Sequence, residues 1–138
     1  MERYCYTRIK EILMGLDQLA FSMTAFEVEN EEEPGNHDIS HEWRKHPNLQ
    51  GWMEELWRSK GLSKTGEWNE FNCCPLELTK EDIIRLKKDV ESQDLPKTEG
   101  FFFGSDADKE YKEQDLEFCD WALKEIKEGR KVFYDSWW

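Results

Sequence analysis

The residues best equipped for chemistry stand together at Trp43-Arg44-Lys45-His46, directly before Pro47. Proline suits the first turn of a helix, where its missing N–H costs nothing. A helix beginning there sets free amides and a positive dipole end beside Arg44, Lys45 and His46, which favours an anion. Arg44 is suited to gripping a phosphate or carboxylate through two parallel hydrogen bonds, and Trp43 or Trp52 offers a flat face for a base. The competing reading is that Arg44 and Lys45 merely pair with surrounding glutamates. Asp17, just after Gly15-Leu16, is either a general base or the partner of an arginine, with Arg44 the obvious one. Asp17, Trp43, Arg44, Lys45, His46 and Trp52 form the candidate ligand-binding set.

Other chemistry-bearing residues are less well placed. His37 and His41 are four apart, with Asp38 and His46 near, and would share a face only if residues 37–41 were helical. No metal site is expected from them. Cys73 and Cys74 lack a neighbouring histidine to activate a thiol, so burial is the default reading. Ser136 has no nucleophile-elbow context, and Trp137 and Trp138 read as core seals. No catalytic residue is assigned, and no cofactor is expected.

Stepping outward from these side chains, 138 residues make one domain with room for a real core. Seven tryptophans, eight phenylalanines and four tyrosines supply large buried areas and argue against disorder. Net charge is −12, from 31 acids against 19 bases, which repels phosphate backbones and disfavours direct nucleic-acid binding. The same charge suits either solubility or imitation of a nucleic acid before a basic partner. The four cysteines form no C-x-x-C pair, and neither a secretory signal nor a membrane-length apolar run is present. Reduced thiols in a cytoplasm are expected.

The elements that must position the site follow from periodicity. Met1 to Leu13 reads as helical, and Leu19 to Phe26 alternates as a strand with one apolar face. Glu27 to Asn36, with five glutamates in its first seven residues and then Pro34-Gly35, reads as a solvated loop. Leu49, Trp52, Met53, Leu56 and Trp57 define an amphipathic helix from Pro47, stopped at Lys60-Gly61. After a polar connection (Leu62 to Asn69), Phe71 to Leu78 is a short strand. Thr79 then caps a helix whose apolar face is Ile83, Ile84, Leu86 and Val90, ending before Leu95-Pro96. Phe101-Phe102-Phe103, between Gly100 and Gly104, is expected as a strand at the centre of the core. A helix over Lys109 to Lys127, with Leu116, Cys119, Leu123 and Ile126 inward, closes at Gly129. Val132 to Trp138 is the last strand, expected beside the phenylalanine run. The fold class is α+β: a small mixed or antiparallel sheet with about three helices packed against it.

Four blocks occur in order: Met14-Gly15-Leu16-Asp17, Trp43-Arg44-Lys45 with Leu49 and Trp52, Leu95-Pro96-Lys97-Thr98-Glu99-Gly100-Phe101-Phe102-Phe103-Gly104-Ser105, and Phe133-Tyr134-Asp135-Ser136-Trp137. The set resembles a largely uncharacterised family of small bacteriophage and prophage proteins, some labelled phosphoglycerate kinase. The resemblance covers roughly Met14 to Trp137. It implies a single domain over residues 14–138 that starts at the Met-Gly-Leu-Asp segment. Residues 1–13 then read as a non-native extension, with a purine-rich codon run at Lys10-Glu11 acting as a ribosome-binding site before Met14. The kinase label does not transfer. The chain lacks the G-x-x-x-x-G-K-[ST] phosphate loop and is too short for two domains closing on two substrates.

The leading expectation is a phage-type, non-enzymatic accessory protein that binds a small anionic, nucleotide-like ligand and counters host defence. One alternative is an acidic inhibitor that mimics nucleic acid on a host protein. The other is a small hydrolase or transferase using Asp17 and the histidines.

Overall fold

The computed structural model describes residues 16–30, 39–67, 70–96 and 107–137. These residues form a four-stranded antiparallel sheet and four helices, an α+β arrangement. In chain order they are β1 (Asp17–Met23), α1 (Ala25–Glu29), β2 (His41–Arg44), α2 (Pro47–Ser59), β3 (Leu76–Leu78), α3 (Lys80–Glu91), α4 (Ala107–Lys127) and β4 (Lys131–Trp137). The strand order is β2-β1-β4-β3. The expected tail strand is therefore internal, flanked by β1 and β3. The Phe101–Phe103 run and the 1–13 extension lie outside the described residues.

Strand alternation gives the sheet two different faces. Ala20, Trp43, Tyr134, Val132, Leu76 and Leu78 face the main core shared with α2, α3 and α4. Leu19, Phe21, Met23 and Trp137 face the other way, into a smaller cluster joined by Cys73, Val28 and Phe133. Phe21 and Phe133 stack there at 5.4 Å. The expectation of a β1 strand with one apolar face is thus corrected: as an inner strand, β1 is buried on both.

Three local expectations also change. The strand ends at Met23, and Ala25 and Phe26 begin a helix instead. Thr24 Oγ1 accepts from the Glu27 N–H at 3.2 Å while the Glu27 carboxylate accepts from the Thr24 N–H at 3.4 Å. That capping box converts the first residues of the supposed acidic loop into α1 and leaves Phe26 exposed. On α3, Thr79 caps as expected, with Asp82 completing the box, but Ile84 is 51% exposed and not on the inner face. On α4 the inner stripe is Phe118, Cys119 and Ala122, flanked by buried Asp115 and Glu125. Leu116, Leu123 and Ile126 lie half-buried beside it. The face is rotated because the two acids are partnered inside: Glu125 with Ser22 (2.7 Å) and Arg130 (3.2 Å), and Asp115 as described below.

Helix α2 starts at Pro47 and α4 ends before Gly129, whose φ of 90° permits the left-handed exit. Both outer strands of the described sheet have backbone groups taken up by side chains. At β2 the Tyr111 hydroxyl donates to the Arg44 carbonyl (2.8 Å) and accepts from the Arg44 N–H (3.2 Å). Gln114 Nε2 donates to the Glu42 carbonyl. At β3 the Lys60 ammonium donates to the Glu77 carbonyl at 2.9 Å.

The connection after α2 is held by one carboxylate. Glu70 accepts from the Ser63 hydroxyl and from the backbone N–H groups of Lys64, Thr65 and Gly66. The Ser63 bond, with those amides and against a smaller effect of burial, lowers its pKa from 4.5 to about 2. A depressed carboxylate pKa contributes stability that is present above 4.5 and lost as pH falls through about 2. The Lys64–Gly66 amides are therefore expected to stay protected from exchange from neutral pH to below pH 4, and to lose protection in Glu70→Gln. Amide exchange by NMR checks this; unchanged protection in the variant would contradict it.

Candidate functional site

The turn from β2 into α2 divides the Trp43-Arg44-Lys45-His46 cluster. Consecutive strand residues face opposite ways, so Trp43 enters the core and Arg44 leaves it. Lys45 takes a left-handed φ of 62°, keeping its own side chain outside and turning His46 inward.

Trp43 and His46 meet the same carboxylate. Trp43 Nε1 donates to Asp115 Oδ1 and His46 Nε2 lies against Asp115 Oδ2, both at 2.7 Å. All three residues are 2% exposed or less. The Tyr111 ring stacks on the imidazole at 5.1 Å. Gln18 braces this corner: its Oε1 accepts from the His46 N–H (2.9 Å), and its Nε2 donates to the His46 carbonyl (3.0 Å) and the Tyr134 hydroxyl (2.8 Å). Tyr134 in turn donates to Gln50 Oε1. Burial pushes the Tyr134 hydroxyl far above the ordinary phenol range and keeps it a neutral donor. An aspartate–histidine pair has the parts of an acid–base relay, but this one is sealed from solvent and serves as a clamp.

Trp52 lies elsewhere. It is buried on α2, donates Nε1 to Asp89 at 2.8 Å, and carries Arg85 over its ring at 5.2 Å. Trp43 and Trp52 are 2% and 5% exposed, and each still lines a cleft, Trp43 beside Asp17 and Arg44 and Trp52 beside Arg85 and Asp89. His46 is fully buried against Asp115.

What the structure does bring together is Asp17 and Arg44. They are directly opposite in the β1–β2 register, on the same side of the sheet, with Arg44 Nε 3.7 Å from Asp17 Oδ1. Both line a cleft of about 420 Å³ with Glu42, Ile39, Tyr111 and Gln114 on its walls. Sequence reading missed Tyr111, Gln114 and Asp115. The first two give no signal until α4 is known to cross the end of β2. Asp115 had one: an acid three residues before Phe118, inside an apolar stripe, requires a partner.

Among the described residues no group of three or more metal-ligating side chains converges. His37 lies outside them. His41 is an aromatic packing residue, 5.3 Å from Trp121 and 5.5 Å from Phe118, and burial lowers its pKa against an opposing effect of Glu117. Burial pushes the Cys119 thiol up to about 12, so it is a protonated core group. No described helix is long and apolar enough to cross a membrane.

The fold and cleft define an acidic α+β domain with a mixed-charge cleft at one end of its sheet. No protein-family model matches the chain, and comparisons with curated proteins and with solved structures find no match.

Proposed function

We propose that this chain is a phage-type accessory protein that binds a small anionic ligand through Arg44 and thereby counters a host defence, without catalysing a reaction. The observation that supports the reading is the placing of Arg44. Its side chain is 77% exposed at the mouth of the cleft, while its own backbone N–H and carbonyl are fixed by Tyr111. A cation anchored at its base and open at its tip suits an incoming anion.

Thermal shift against a panel of small carboxylates, inorganic phosphate and nucleotides tests this. A ligand at a hundred times its Kd adds about 2.7 kcal/mol of stability, and Arg44→Ala is expected to remove that gain with the fold intact. The absence of any Arg44-dependent shift would overturn it.

A second reading, inhibition by imitation of a nucleic acid, is favoured by one feature. Glu110, Glu113, Glu117 and Asp120 make an exposed acidic row along α4. A host complex built on that row would dissociate at high salt.

A further inference from the structure

Resting on the reading of Arg44 as an anion grip, we infer that the Asp17–Arg44 cleft takes a zwitterion. Its ligand carries a carboxylate and a protonated amine a few bonds apart, the chemistry of a free α-amino acid. The charges on the cleft walls support this first. Among the described lining residues Arg44 is the one cation, against the carboxylates of Asp17 and Glu42. A di- or triphosphate would meet two like charges and a single guanidinium, on a chain whose net charge is already −12. A molecule bearing both signs meets a partner for each.

The geometry supports it second. Lys60–Asp82, Lys87–Asp120 and Arg58–Glu54 are closed ion pairs at 2.6, 2.8 and 3.0 Å. Asp17 and Arg44 stop at 3.7 Å, beyond hydrogen-bonding distance. Among the described residues neither side chain makes a hydrogen bond, to the other or to anything else. Toward the described residues each keeps its full capacity: a forked set of donors on Arg44 and two acceptor oxygens on Asp17. The two groups are adjacent, so a ligand satisfying both must hold its own charges adjacent. The guanidinium takes the carboxylate, Asp17 takes the ammonium, and the exposed Ile39 side chain at the wall meets the remainder. Glu42 on the same wall disfavours acidic side chains.

The test uses the full chain and NMR titration with L-leucine, L-lysine, 4-methylpentanoate (leucine without its amine), inorganic phosphate and ATP. Both amino acids are expected to shift signals of Asp17 and Arg44, and to lose binding in Arg44→Ala. Leucine should bind about tenfold tighter than its deaminated analogue, the scale of one charge-assisted hydrogen bond. Asp17→Asn should erase that difference. Equal binding of leucine and its analogue overturns the inference. Arg44-dependent binding of phosphate or ATP without amino acids also overturns it, yet leaves the anion reading standing. No Arg44-dependent binding by any probe ends both.

Discussion

Asp115→Ala is expected to destabilise the protein by about 2–5 kcal/mol, since each buried polar group left without its partner costs about 1–3 kcal/mol. Asp115 is 1% exposed and accepts from Trp43 Nε1 while lying against His46 Nε2. Alanine removes the acceptor of the Trp43 indole N–H and the carboxylate against His46 Nε2, both inside the protein, where the Tyr111 ring lies over the imidazole. Loss on that scale is a large share of the about 5–15 kcal/mol that holds a domain of ordinary stability. Asp115→Asn keeps an oxygen for the indole and should lose less, about 1–3 kcal/mol. Urea unfolding at neutral pH measures both. A cost under about 1 kcal/mol for alanine would mean the corner relaxes, and that the carboxylate is not what joins α4 to the β2–α2 turn.

Phe118→Ala is expected to cost about 3–5 kcal/mol by a different route, the loss of apolar burial plus the cavity left behind. Phe118 is fully buried, edge-on to Trp43 at 5.1 Å and to His41 at 5.5 Å, with Trp121 at 6.0 Å. The three rings left around the gap, Trp43, His41 and Trp121, cannot collapse into it without giving up their mutual geometry. Phe118→Leu refills much of the space and should recover most of the loss. Because Asp115 and Phe118 both touch Trp43, their effects should not add. The double variant is expected to depart from the sum by about 0.5–3 kcal/mol, readable in the same unfolding experiment.

Much of the frame could be read from local chemistry. Pro47 opens α2, Thr79 caps α3, and Gly61 and Gly129 close their helices with positive φ. These are decisions made within a few residues, where sequence is most informative. Strand β2 escaped detection because His41-Glu42-Trp43-Arg44 is short and mostly polar, and its pairing partner is more than twenty residues away. The α4 stripe was misjudged because Asp115 and Glu125 look solvent-facing until their partners on other elements are known. The candidate site divides in the same manner. Asp17 and Arg44 were recognisable as a possible pair and do meet at the cleft. Trp43 and His46, one residue to either side of Arg44 and Lys45, are turned inward by the pleat of β2 and the left-handed Lys45. Type and proximity in sequence do not reveal on which side of a strand a residue will emerge.

The hydroxyl of Tyr111, the amide of Gln114 and the ammonium of Lys60 have an effect beyond their own bonds. They occupy places where a foreign extended peptide would zip onto the outer strands of the described sheet. Recruitment through main-chain pairing is thereby denied at these points, as is runaway stacking of one copy on another at high cellular dose.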